Sequence, residues 1–341
     1  MKFTTIREAE GLSKKKIRKG TFNWLNSGAE DGYTYNKNID ELSKIKIIPR
    51  ILVKNKNTKI SQNFFNNKLR NPIVLCPMGH QTQFEKKGEI SVAEGITSAG
   101  SLGFFSTQGR YGFDDIKRKS PGGKLVWQIF PFGNKSWIEK EIKTAEKFKS
   151  LAICFCFDAP VRSHRYLDRE SRYDARKYGK RYYPLPPDPS MALNYDWDFI
   201  KWIKSKTKLP IIPKGLLNIE DIKKSINSNC DGIWISNHGG RMFNSSITPV
   251  YVLKKIRKLK INKMIIVDGG VRKGTDIIKL MYLGADFVGI GRPAIYGLIC
   301  DGSRGVKRIF NILESELISG MKNGGFVSLK DFKMNRLIFD E

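Results

Sequence analysis

The chain has 341 residues, 40% of them hydrophobic and 28% charged, with the charges spread along its length; this is the make-up of a globular, enzyme-sized fold, either one large barrel or two ordinary domains. The formal net charge of +28 could attract a polyanion, but Lys, Asn and Ile recur everywhere, no compact basic motif stands out, and no nucleic-acid partner is expected. Five cysteines, an odd number with no Cys-x-x-Cys pair, argue against a disulfide framework or a zinc site and suit reduced thiols in the cytoplasm, so no metal is expected.

Residues Met1 to Glu10 carry Glu8 and Glu10 and no apolar core, so they are not read as a signal peptide. A helix is predicted over Leu12–Asn26, and residues 1–70 as a whole are expected to cover a barrel entrance. Short apolar runs then recur at Pro72–Cys76, Leu102–Ser106, Leu125–Phe130, Ala152–Phe157, Pro210–Pro213, Gly232–Ser236, Met264–Asp268 and Phe287–Ile290. They are β-branched or aromatic-rich and bounded by Gly, Pro or polar turns, as strands are. Helical patterns such as Trp137–Lys149, Ile219–Asn227 and Gly274–Leu283 lie between them. Eight alternating βα units predict a single α/β domain over residues 1–341, a closed (β/α)8 TIM barrel. The longest apolar run, Leu151 to Phe157, is too short to span a bilayer.

The longest connection is 159–198, after the fourth strand. It is polar, Pro-containing and basic, with eight Lys or Arg against three acids from Pro160 to Tyr182. A long βα connection of this kind reads as an active-site lid. Docking to an anionic membrane surface is the less favoured reading, because the loop lacks an apolar stripe to insert.

Working residues of such barrels sit at the C-terminal strand ends. Here those ends carry Cys76-Pro77-Met78-Gly79-His80, Ser106, Gln128 and Phe130, Cys156 and Asp158, Lys214, Ser236-Asn237-His238, Asp268-Gly269-Gly270 and Gly291-Arg292. Period-two alternation places Cys154, Cys156 and Asp158 on one face of the fourth strand, toward the barrel axis, and Phe155 and Phe157 on the other. The turns Asp268–Gly274 and Gly291–Ala294 each open a helix. Free backbone N–H groups there, with Arg272 and Arg292, make an anion site where barrels commonly hold phosphate. In Ser236-Asn-His-Gly-Gly-Arg241, one of only three histidines sits at a strand end with an arginine three residues on, a pattern for a base beside an anion clamp.

These strings, together with Ser27-Gly-Ala-Glu-Asp31, Pro49-Arg50, Asp268-Gly-Gly-Val-Arg-Lys-Gly274 and Gly291-Arg-Pro293, resemble the FMN-dependent 2-hydroxy-acid oxidase and dehydrogenase family over essentially the whole chain. The resemblance implies a non-covalent FMN, oxidation of a small carboxylate substrate to its 2-oxo acid, and a homotetramer. It implies His238 as the base, Asp158 as its carboxylate partner, and Arg241 and Arg165 as the substrate-carboxylate clamp. Lys214 resembles the cation beside flavin N1 and O2. Ser106, Gln128 and Ser236 match ring contacts, and Pro77, Met78 and Gly79 match the backbone that meets the ring. Asp268, Gly269, Gly270, Arg272, Gly291 and Arg292 match ribityl-phosphate positions. The chain departs from the family pattern at four places: Trp24 and Phe130 replace tyrosines whose hydroxyls meet the substrate, Cys156 replaces a threonine near the flavin, and Gln108 replaces an aromatic. Simple glycolate is therefore not the expected substrate, a side chain with an apolar or aromatic group is, and His80 and Gln81 could supply replacement polar groups. Two other readings stay open: oxidation of a different carboxylate-bearing substrate, such as an amine or modified peptide, and a flavin-binding protein without turnover. The electron acceptor is likewise open.

Overall fold

The computed structural model describes residues 3–184, 186–257, 259, 261–332 and 336–340; Met1, Lys2 and, within the predicted lid, Leu185 lie outside it. The eight apolar runs form eight parallel strands: β1 Ile73–Leu75, β2 Leu102–Ser106, β3 Leu125–Ile129, β4 Ile153–Cys156, β5 Ile211–Leu216, β6 Gly232–Ile235, β7 Met264–Val267 and β8 Phe287–Ile290. Each pairs with the next and β8 pairs with β1, which closes the barrel. A βα unit can only bury both faces of a parallel sheet by wrapping helices outside it, and closure removes the sheet edges.

Side-chain parity divides the core into two. Val74, Phe104, Val126, Cys154, Ile212, Trp234, Ile266 and Phe287 fill the barrel interior. Phe105, Trp127, Phe155 and Ile235 face the surrounding helices, and Phe155 and Phe157 stack there at 5.9 Å. The alternation expected on the fourth strand is therefore observed.

Three boundaries differ from expectation. Leu12–Asn26 is not one helix but parts of two, Ile6–Lys16 and Lys19–Asn26, broken where Ile17 and Arg18 take extended backbone. The Lys14-Lys15-Lys16 run ends the first helix, where cations favour the carbonyl end. The second then turns so that Gly20 packs on the Tyr173 ring of the lid, a site where a Cβ would stand 2.9 Å from that ring. The fifth strand runs past Pro213 to Leu216, with a bulge between Lys214 and Leu216. Finally, residues 1–70 do not all cover the entrance. A hairpin, Gln62–Phe64 with Asn67–Leu69, closes the opposite end of the barrel. There the fully buried Phe64 meets Phe104 at 6.1 Å and Phe287 at 5.7 Å, a burial that contributes about 1.5–3 kcal/mol.

The basic connection is a docked cap. Tyr182 and Tyr183 N–H groups donate to the Arg110 carbonyl at 2.7 and 2.9 Å. Arg110 Nη2 in turn donates to the carbonyls of Ala175 (2.7 Å) and Tyr178 (2.9 Å), and Thr82 Oγ1 donates to the Lys180 carbonyl at 2.7 Å. Among the described residues no helix is long and apolar enough to cross a membrane.

Candidate active site

The chemistry-bearing side chains converge at the C-terminal rim. At its centre His238 Nδ1 lies 2.9 Å from Asp158 Oδ1. The same oxygen accepts from the Cys156 thiol at 2.9 Å, whose proton is secured because burial, then Asp158, raise the thiol far above its usual range. Lys214 Nζ donates to Ser236 Oγ at 2.7 Å and stands 3.8 Å from Asp158 Oδ2 and 3.6 Å from Asp268 Oδ2. Ser236 Oγ passes a hydrogen bond to Asp268 Oδ1 at 2.8 Å and accepts the His238 N–H at 3.0 Å. Two carboxylates thus flank one buried ammonium, and one of them also orients the imidazole.

The electrostatics follow from that arrangement. Burial alone would raise the Asp158 carboxyl, but Lys214 and His238 outweigh it and hold the group well below the carboxylate range. Burial would likewise lower Lys214, yet Asp268 and Asp158 keep it strongly cationic. Each pair offsets a desolvation cost that neither charge could bear alone. Close approach matters here. Gly215, at φ 107°, sits where a Cβ would stand 2.4 Å from Asp158 Cβ, so any side chain would push the carboxylate off its partners.

Around this centre three arginines have no acid partner among the described ion pairs. Arg241 Nη1 donates to the carbonyls of Trp24 (2.8 Å), Leu25 (3.3 Å) and Ser27 (2.9 Å), with its guanidinium 4.8 Å from the Trp24 ring centroid. Burial, then repulsion from Arg165 and Arg292, drives its pKa well down, so the site calls for an anion. Arg292 reaches the Leu25, Gly239 and Ser27 carbonyls at 2.9, 3.2 and 3.0 Å and covers the Tyr35 ring at 4.4 Å. Among the described residues the Arg272 guanidinium donates to the Val271 carbonyl (2.9 Å) and the Tyr35 hydroxyl (3.5 Å). Arg165 differs: its Nε lies 2.8 Å from Asp168 Oδ2.

A phosphate-bearing planar cofactor fits these groups. Gly269 and Gly270 adopt φ 117° and 78°, and Gly270 packs so tightly on Asn38 that a Cβ would stand 2.2 Å from its carbonyl oxygen. The turn therefore presents backbone rather than side chain beside Arg272. Ser106 and Gln128 are buried on β2 and β3, and Gln128 Oε1 has no hydrogen-bond partner. Met78 Sδ lies against Gly291, and Gly79 lies against the Gln108 carbonyl. Pro77 joins this segment directly to β1. Phe130 packs on Phe132 at 5.0 Å and toward His238 at 6.3 Å, and Trp24 lies beneath both Arg241 and Arg165. Cys156, Asp158 and His238 also offer three atoms within 4.8 Å of one another that could ligate a cation, although Lys214 would repel it.

Some participants escaped the sequence. Tyr35 and Asn38 lie in the helix Tyr33–Ser43, in no motif; yet Asn38 and Asn237 exchange amide hydrogen bonds at 2.9 and 2.7 Å. Trp234 Nε1, on the interior face of β6, donates to Asp268 Oδ2 at 3.1 Å.

His80 carries a separate expectation. Burial first, then Arg110, Arg181, Arg165 and Arg162, push its pKa from 6.5 to about 3. Between those values the unfolded chain binds more protons than the folded one, so stability falls as pH drops from 6.5 toward 3. Thermal unfolding of wild type and His80→Gln across that window should show a shallower decline in the variant; parallel curves would contradict it.

The FMN-dependent dehydrogenase family model matches residues 13–338. Glycolate oxidase 3 of Oryza sativa subsp. indica is 29% identical, with 99% of this chain and 96% of its own length covered. The 2-hydroxyacid oxidase of Dictyostelium discoideum is 29% identical, with 99% and 91% covered. A mandelate oxidase structure with 3,3-difluoro-2-hydroxy-3-phenylpropionic acid shares the fold, with a TM-score of 0.90 at 23% identity over 99% of this chain and 100% of that one. With its rim geometry and a match over nearly its full length, the chain belongs to the FMN-dependent dehydrogenase family.

Proposed function

We propose that this protein oxidises a 2-hydroxy acid to the 2-oxo acid, with FMN seated over Gln128, Lys214 and the Arg272 turn. The observation that carries the reading is the His238–Asp158 pair at 2.9 Å, set among half-buried arginines that have no acid partner among the described ion pairs. Bound FMN would supply the two-electron acceptor. Arg241 and Arg165 would hold the substrate carboxylate, a task that suits a guanidinium fork. An ionised Asp158 can only accept, so the His238 proton resides on Nδ1 and Nε2 is left to take a proton from the substrate. The imidazolium so formed faces the Asp158 carboxylate. Lys214, fixed by two carboxylates, would place positive charge under the flavin edge that becomes anionic.

Mass spectrometry of the chromophore released from purified protein should give FMN, and anaerobic addition of 2-hydroxy acids should bleach it. FAD, or a flavin that no 2-hydroxy acid reduces, would overturn the proposal.

Phe130 forms an apolar wall with Cys156, Ala159, Phe132 and Met242, and it offers a short substrate no donor. Phe130→Tyr should raise kcat/KM for glycolate by roughly tenfold to a hundredfold, the range of one restored hydrogen bond. A wild type that already prefers glycolate to larger 2-hydroxy acids would show that the two arginines suffice.

A further inference from the structure

The rim after β1 and β2, next to the β3 end that carries Phe130, is polar, and the chemistry above does not use His80 or Gln108. His80 follows β1 in the left-handed region at φ 60°, a conformation that costs a non-glycine residue and that clusters at working sites. Its N–H donates to the Gln108 carbonyl at 3.3 Å, so the two side chains leave adjacent backbone at the ends of β1 and β2. His80 Nδ1 and Gln108 Nε2 are both buried without a hydrogen bond. The imidazole meets the Trp24 ring edge-on at 6.0 Å, the same ring that lies 4.8 Å from the Arg241 guanidinium.

The field here is one-sided. Arg110 and Arg181 approach His80 from the β2 loop and the cap, Arg165 and Arg162 from the cap, and all four disfavour a charged imidazole. Arg110 Nε and Arg181 Nη2 are themselves buried without partners. Three acids answer four guanidinium groups: Glu89, whose Oε1 accepts the Gln81 and Arg110 backbone N–H groups at 3.0 and 3.1 Å, Asp168, paired with Arg165, and Asp174, which is paired with Arg176 and feels Arg162 only at longer range. A substrate with a single carboxylate on Arg241 and Arg165 would leave this cationic wall and its buried donors unmatched.

We infer, resting on the 2-hydroxy-acid reading, that the substrate carries a second anionic group, received by His80, Gln108 and the Arg110–Arg181 pair on the far side of Trp24. A 2-hydroxy dicarboxylate and a phosphorylated 2-hydroxy acid share that chemistry. The span from Arg241 to His80 across one indole ring suits a short chain. A site built for polar contacts rejects analogues that leave its buried groups unpaired far more strongly than an apolar pocket rejects a missing methylene.

The test compares anaerobic reduction of the holoenzyme by 2-hydroxysuccinate, 2-hydroxyglutarate and 3-phosphoglycerate with 2-hydroxybutanoate and mandelate. At least one doubly anionic acid should exceed 2-hydroxybutanoate in kcat/KM by tenfold or more, and the fastest of them tells carboxylate from phosphate. His80→Phe keeps a ring and removes both nitrogens; it should cut that preference tenfold or more through KM. Unreactive succinate should perturb the wild-type flavin spectrum at a tenfold lower concentration than butanoate, a readout independent of the variant's folding. Mandelate or 2-hydroxybutanoate reacting fastest, or succinate binding no better than butanoate, would overturn the inference alone. A panel in which no 2-hydroxy acid reduces the flavin would sink the functional reading and this inference with it.

Discussion

His238→Ala is expected to retain FMN and to reduce it roughly 10²–10⁴ times more slowly with substrate, the usual loss for a removed general base. The cofactor contacts argued above come from Ser106, Gln128, Lys214 and the two glycine turns, none of which depends on the imidazole. Anaerobic stopped-flow measurement of the flavin absorbance separates the outcomes. Unchanged flavin content with slow reduction supports the base. Reduction at the wild-type rate would make His238 a structural turn residue, held at φ 56° only by its neighbours. Loss of flavin would instead assign the ring to the cofactor site.

Asp158→Asn is expected to cost nearly as much, about 10²–10⁴-fold in the same reduction step, because it disturbs the tautomer rather than the geometry. Asp158 presents Oδ1 to His238 and Cys156 and Oδ2 toward Lys214. An asparagine has one oxygen for both sides, and the buried ammonium attracts it more strongly than a neutral imidazole does. The amide N–H₂ then faces His238 Nδ1, which must accept, so the proton moves to Nε2 and the base is blocked. Lys214 keeps Asp268 at 3.6 Å, so the fold should survive and the variant should still bind FMN. A variant that reduces normally would show that His238 orients itself without the carboxylate. Because Lys214 and His238 hold the Asp158 carboxyl far below its ordinary 3.8, its stabilising contribution is complete above that value and is lost only as pH falls through strongly acid conditions.

Much of this was legible because it is local. Period two on β4 separated Cys154 and Cys156 from Phe155 before any coordinates, and the interior and outer cores keep that division. The eight apolar runs became the eight barrel strands, since a buried parallel strand needs an unbroken apolar stretch between turn residues. The rim residues followed from knowing where such strands end. The single predicted helix over Leu12–Asn26 failed for the opposite reason. The helix that follows the break at Ile17–Arg18 packs Gly20 on the cap residue Tyr173, about 150 positions away, a contact that no local pattern contains.

The same distinction governs the site. Sequence by itself determined which groups can do the chemistry: a histidine between glycines at a strand end, a lysine inside a barrel, arginines after the last two strands. Only the tertiary structure decided their charge states and their partners. Asp158, Lys214 and Asp268 come from the ends of three different strands, and the balance of desolvation against Coulomb attraction exists only once Lys214 stands within 4 Å of both carboxylates. Arg241 and Arg292 acquired their carbonyl partners in residues 24–27 in the same way. The unpaired atoms of His80 and Gln108 are likewise invisible in a linear string, because an unsatisfied donor is a property of everything folded around it.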